Sequence, residues 1–264
     1  MAFQDILYDK RAGVATITID RPNVLNAFRA ETVEEMLEAM RDAEDDDDIG
    51  VVVLAGAGDR AFCSGGDNSA RASGSSSAKG YGGRGLVGLP IEELHDAIRS
   101  SRKPVIAKVQ GYAIGGGNVL ATVCDLTIAS EKAVFGQVGP RVGSVDPGWG
   151  TAFLARHVGD KRAREIWFLC RRYTAAEAYQ MGLVNKVVPA DQLDAEVANW
   201  CNEILALSPT AIAIAKRSFN ADSENIKGIG ALGLEALALY YNTDEAKEGT
   251  NAFLEKRRPD FRRR

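Results

Sequence analysis

Two short glycine clusters and one serine–aspartate pair are the residues of this chain with the clearest chemical use. Ser64-Gly65-Gly66-Asp67 and Ile114-Gly115-Gly116-Gly117 each follow a strand-like stretch. Glycine at a strand end lets backbone N–H groups turn into a cavity, and a helix starting there adds the positive end of its dipole. Two such groups aimed at one oxygen form an oxyanion hole, with about 3–4 kcal/mol of transition-state stabilisation per donor. Taken singly, each cluster is equally satisfied by an ordinary tight turn. The pair lies in residues 136–150, GQVGPRVGSVDPGWG, a stretch with five glycines and neither histidine nor cysteine. Ser144 and Asp146 are two apart, so in an extended segment they share one side. There a carboxylate and a hydroxyl can orient and deprotonate a water, or fix a keto oxygen. Asp-Pro is also a normal cap pair ahead of a helix starting near Pro147, so spacing alone leaves both uses open.

Other chemistries lack their motifs. There is no G-x-x-x-x-G-K-[ST] loop and no G-x-G-x-x-G after the first strand, so nucleotide binding has no carrier. A net charge of −4 provides no general attraction to nucleic acid or anionic membrane. Cys63, Cys124, Cys170 and Cys201 are widely spaced, with no C-x-x-C and only two histidines beside them, so reduced, buried thiols are expected and no metal site. His95 and His157 sit in helical stretches without partners in sequence and are expected to be structural or surface residues. No apolar run approaches the ~18 residues of a membrane span, and MAFQDILYDK lacks the apolar core of a signal peptide; a cytoplasmic protein is expected.

The elements that must position these groups read as α/β. Residues 13–20, GVATITID, alternate as a half-buried strand does. From Ala30 a helical stripe runs through Val33, Met36, Leu37 and Met40 and ends in the acidic cluster 45–48, expected to be a solvated helix end. Residues 50–58, GVVVLAGAG, suit a strand covered on both faces. Residues 59–71 read as a loop, and the Gly- and Ser-rich residues 72–85 as a mobile surface loop, either a plain linker or a lid. A helix PIEELHDAIRS, a strand KPVIAKVQG, an apolar helix NVLATVC and a strand DLTIAS follow, a repetition that argues for parallel pairing. Beyond Gly150 the chain is mostly helical, interrupted by the strand-like LVNKVVP.

The combination of AFCSGGD, KPVIAKVQGYAIGGGNVLATVCDLTIAS, FGQVGPRVGSVDPGWG and a terminal FLEKRRPDF, in that order over essentially the whole chain, resembles the crotonase, or enoyl-CoA hydratase, superfamily. The resemblance implies a spiral of ββα units over residues 1–200 and a C-terminal helical trimerisation region over 201–264. It also implies an acyl-CoA thioester as substrate, no tightly bound cofactor, and a homotrimer or dimer of trimers without nucleic-acid or membrane partners. By motif position the oxyanion donors are Gly66 and Gly116, flanked by Ser64, Gly65 and Asp67. True hydratases carry glutamates where this chain has Val119 and Gly139, so water addition to an enoyl-CoA is not expected.

The pattern GQ-x-GP-[KR]-x-GS-x-D-x-G is similar to one branch, which contains 2-ketocyclohexanecarboxyl-CoA hydrolase and 1,4-dihydroxy-2-naphthoyl-CoA synthase. In that branch Ser144 and Asp146 lie beside a β-keto thioester, and Tyr241 completes the site, with Tyr240 structural. Gln137, Gly139 and Trp167 match the pocket where bicarbonate serves the synthase as a base. Arg29, Arg71, Tyr81 and Arg84 match positions lining the coenzyme A and loop region, and Phe253 and Lys256 the tail that reaches the adenine and 3′-phosphate. GRGLVGLPIEELHDAIR, SVDPG and SPTAIAIAKRSFN look more like the hydrolase; Trp149 is synthase-like, and the insertion at 72–79 fits neither. The implied reaction is hydrolytic ring opening of a cyclic β-keto acyl-CoA, as in alicyclic acid degradation; the alternative is the synthase of menaquinone biosynthesis. A non-catalytic acyl-CoA- or RNA-binding relative would keep the glycines but need not keep Ser144, Asp146 and Tyr241 together.

Overall fold

The computed structural model describes residues 3–74 and 80–262. β1 (Ile6–Arg11) and β2 (Val14–Ile19) form an antiparallel hairpin. β2 alternates half-buried and fully buried residues. α1 (Ala30–Asp45) buries the expected stripe of Val33, Met36, Leu37 and Met40, and every residue of β3 (Val51–Gly56) is buried, as its unbroken apolar run requires. The acidic cluster after α1 is a surface helix end on which Asp46 pairs with Lys10.

From β3 onward the chain alternates between two sheets. β4 (Ala61–Cys63) leaves the first sheet for the second and is followed by α2 (Asn68–Gly74) and α3 (Ile91–Ser100). β5 (Val105–Val109) returns to the first, β6 (Tyr112–Ile114) joins the second, and α4 (Gly116–Val123) closes the unit. β7 (Leu126–Ser130), β8 (Val134–Gly136) and the short α5 (Gly139–Val142) repeat it. α6 (Leu154–Val158), α7 (Asp160–Leu169), β9 (Arg172–Thr174), α8 (Ala175–Gln180) and β10 (Lys186–Val188) complete both sheets. The large sheet has the order β1-β2-β3-β5-β7-β10 and the small one β4-β6-β8-β9. All neighbours are parallel except β1 with β2 and β8 with β9. This is the expected spiral of ββα units.

The chain ends in α9 (Leu193–Leu205), α10 (Pro209–Ala221), α11 (Asn225–Tyr240) and α12 (Asp244–Leu254). The division expected at residue 200 falls inside α9, because Leu193, Val197 and Cys201 pack on Val51, Val53 and Ile106 of the large sheet. Two further readings change. Residues 59–71 contain β4 and the start of α2, and the helix expected near Pro147 begins as a π-helical turn over Trp149–Phe153. Residues 75–79, most of the insertion read as a mobile loop, lie outside the described residues. The four cysteines are unpaired and buried. His95 is buried in the core, and His157 packs edge-on against Phe153 at 4.8 Å. Among the described residues no helix is long and apolar enough to cross a membrane.

Candidate active site

Three parallel neighbours of the small sheet, β4, β6 and β8, end side by side, with Ala61 opposite Tyr112 and Ile114 opposite Gly136. The residues that follow them therefore converge. Ser64, Gly65, Gly66, Gly115, Gly116, Gln137 and Gly139 line one cavity of about 100 Å³, closed by Phe28, Leu234 and Tyr241.

The glycine wall is held by main-chain bonds. Phe28 N–H donates to Gly65 O (2.9 Å), Asp67 N–H to Phe28 O (2.8 Å) and Gly115 N–H to Gly136 O (2.9 Å). None of these bonds uses the N–H of Gly66 or Gly116, the two expected hole donors. Gly65 has φ +93°, and a Cβ there would lie 2.9 Å from Gly116 N, so glycine is what lets the two loops approach. Gly116 opens α4, whose dipole adds to its N–H.

The facing wall carries side chains. Ser144 Oγ and Tyr241 Oη are 2.8 Å apart, joined across 97 residues of chain. Asp146 lines the same cavity, and its Oδ1 accepts the Gly150 N–H at 2.9 Å. The Asp146–Pro147 cap pair is not formed, because the turn starts two residues later with Gly148 as its N-cap and no side-chain cap bond; the Asp146 carboxyl instead accepts the Gly150 N–H inside the turn and lines the cavity. Burial pushes that carboxyl up to about 7; the Gly150 N–H opposes the shift, and the charge of Glu92 adds to it. Glu92, itself raised by burial, was not legible as a site residue, since only the docking of α3 brings it to bear on Asp146.

Neither of the two positions expected to hold glutamates in a hydratase carries an acid here, and a side chain at Gly139 has no space. Val119 is fully buried. A Cβ on Gly139 would overlap the Ser144 carbonyl and meet Trp167 Cζ3 at 2.8 Å.

The remaining expected residues divide. The Tyr81 hydroxyl lies directly against Gly66, where an added methyl would overlap it; burial raises this phenol, and the neighbouring Tyr241 adds to the shift. Asp67 caps α2 by accepting the Ser69 N–H (3.0 Å) and pairs with Arg21. Arg29 is engaged by both carboxylate oxygens of Asp5, at 2.7 and 2.8 Å. Arg84 is exposed, outside the cavity lining, and paired with Glu34 and Glu93. Arg71 is buried against the Ser144 segment. Phe253 and Lys256 line a separate groove of about 770 Å³ with Arg141 and Phe168. Gln137 is 1% exposed and its Nε2 has no partner among the described residues, whereas the Trp167 indole N–H donates to Gly150 O. Of the three residues expected around a bicarbonate ion, Gln137 and Gly139 line the cavity with Trp167, but the Trp167 N–H is already used by Gly150 O.

The chain resembles solved structures over its whole length. An enoyl-CoA hydratase from Mycobacterium avium subsp. paratuberculosis K-10 is 30% identical over 99% of this chain and 100% of that one, with a TM-score of 0.87. A carnitinyl-CoA hydratase from Mycobacterium avium is 29% identical over 100% of both, with a TM-score of 0.84. The family model for enoyl-CoA hydratase/isomerase matches residues 9–264. With two glycine loops meeting at parallel strand ends in a ββα spiral, the chain belongs to the enoyl-CoA hydratase/isomerase family of the crotonase superfamily.

Proposed function

We propose that the protein opens a cyclic β-keto acyl-CoA by hydrolysis, as 2-ketocyclohexanecarboxyl-CoA hydrolase does. The observation that carries this reading is the Ser144–Tyr241 hydrogen bond in the cavity that Asp146 lines, opposite Gly66 and Gly116. The valine at 119 and the glycine at 139, where the hydratase acids are expected, support it.

In this reading the thioester oxygen sits between the Gly66 and Gly116 N–H groups. Asp146, as carboxylate, takes a proton from a water that adds to the ring ketone beside Ser144. The bond between the ketone carbon and the α-carbon then breaks. Its electron pair becomes a thioester enolate whose charge falls on the oxygen facing the hole. The former ketone carbon becomes the carboxylic acid at the far end of the opened chain, Tyr241 protonates the α-carbon, and the proton taken up by Asp146 restores the tyrosine. A six-membered ring yields pimeloyl-CoA.

The naphthoyl-CoA synthase reading draws on the unpartnered Gln137 Nε2, an open donor for an oxyanion. The committed Trp167 N–H weighs against it. Incubation with 2-ketocyclohexanecarboxyl-CoA and with o-succinylbenzoyl-CoA separates the two. A CoA ester heavier by one water from the first is expected. Loss of water from the second, with the first untouched, would reassign the enzyme as the synthase. Exposed Phe219, Leu232 and Leu239 on the C-terminal helices support a homo-oligomer, as trimer or dimer of trimers.

A further inference from the structure

Arg71 is 5% exposed, and among the described residues no carboxylate pairs with it. A buried guanidinium persists only where other groups replace its water. Here Nη1 donates to Gly143 O at 3.2 Å, and Nη2 donates to Val142 O at 2.7 Å and to Thr250 Oγ1. The guanidinium carbon lies 4.9 Å from the centroid of the Tyr241 ring, within cation–π range.

Each contact is to the loop before Ser144, to Tyr241 itself, or to α12, which packs on that loop. Gly143 directly precedes Ser144. Thr250 donates in turn to Ala246 O (3.0 Å) in α12, and a Cβ on Gly143 would overlap that same Ala246 carbonyl, so loop and helix are in contact. Arg71 itself stands in α2, which Asp67 caps directly after Gly66. One side chain thus links the first glycine loop to the loop before Ser144 and to the face of Tyr241.

We propose that Arg71 is a positioning residue that sets the Ser144–Tyr241 pair against the Gly66 loop, rather than a coenzyme A contact. The inference rests on the reading that Ser144, Asp146 and Tyr241 carry the chemistry. A forked, planar cation meets two carbonyls, a hydroxyl and a ring face together; the point charge of lysine cannot.

The test compares Arg71→Ala, Arg71→Lys, Tyr241→Phe and the Arg71→Ala/Tyr241→Phe double variant in the full-length protein. It uses turnover of 2-ketocyclohexanecarboxyl-CoA, calorimetric binding of free coenzyme A, and amide hydrogen exchange over residues 142–146. Both Arg71 variants should lower kcat by on the order of 10²-fold, the cost of misplacing reacting groups by about 1 Å. KM and coenzyme A affinity should stay within about threefold, as for a lost interaction made only in the transition state. The double variant should be no slower than Tyr241→Phe alone, because coupled residues are not additive. Exchange over 142–146 should accelerate. A raised KM with kcat intact would return Arg71 to coenzyme A binding, and multiplicative losses or unchanged exchange would also overturn the proposal. If Arg71→Ala does not fold, Thr250→Val removes one anchor and keeps the charge. It should lower kcat by about tenfold and loosen the same amides, and a wild-type rate with wild-type exchange would sink the idea. If wild-type protein turns over neither thioester, the functional reading fails, while exchange and coenzyme A affinity still decide whether Arg71 is a strut.

Discussion

One wall of the cavity works with main chain and the other with side chains. The glycine wall comes from the ends of β4 and β6, fixed by backbone bonds and by contacts that leave no space for a Cβ. The facing wall comes from the segment after α5 and from the end of α11, and it depends on hydrogen bonds that side chains make to groups far away in the chain. The difference separates two functions. In the proposed reaction the strand ends are the fixed receptor for the developing negative charge, and the opposite wall decides which bond generates it.

The largest effect is expected at the glycines. Gly65→Ala forces a methyl toward Gly116 N at a positive-φ position and should cost about 10²–10³ in kcat/KM, the scale of one lost oxyanion donor. Steady-state kinetics beside a melting curve would show it; near-normal turnover would mean the hole lies elsewhere. On the opposite wall, Asp146→Asn and Tyr241→Phe should each lower kcat by on the order of 10², while coenzyme A still binds by calorimetry. Wild-type rates in both would move the acid and base to other residues.

The pH dependence sharpens the contrast. Asp146 must be ionised to act as a base, so kcat/KM should rise with pH through about 7, the value to which burial lifts it. The Asp146→Asn profile should lack that limb. The stability effect has the opposite sign. Above its unfolded value of 3.8 the aspartate stays protonated in the folded state, so its contribution to stability declines from there until about pH 7. Denaturant melts across this window should fall less steeply for Asp146→Asn than for wild type. The smallest effect is expected from Glu92→Gln. Removing its charge should move the kinetic midpoint to lower pH by a fraction of a unit, and an upward move would exclude Glu92 as a neighbour of the base.

Elements with a period were legible in the sequence. β2 alternates, α1 has its stripe, and β3 is one apolar run, so local pattern and tertiary burial agree. β4 escaped because three residues have no period and its pairing with β6 is a long-range event; α2, only seven residues long, was hidden in the same supposed loop. The two glycine clusters, each equally compatible with a tight turn when taken singly, are brought to one cavity because β4 and β6 are neighbours in the small sheet. Side chains that reach across the fold read poorly. The acceptors of Arg71 lie 71, 72 and 179 positions away, and nothing local distinguishes a strut from a ligand contact. The pairing of Arg84 with Glu34 and Glu93 at the surface is equally invisible in the local sequence.

The closed position at Gly139 also bears on how this site can change over evolutionary time. A side chain there would collide with the Ser144 carbonyl as well as the Trp167 ring, so shaving the tryptophan alone leaves the main chain in the way. Restoring a glutamate at this point requires the 139–144 turn to be rebuilt, and that turn holds Ser144. No single substitution leads from this architecture to a two-glutamate one, and intermediates that move the turn first would lose the serine–tyrosine pair before gaining the second acid.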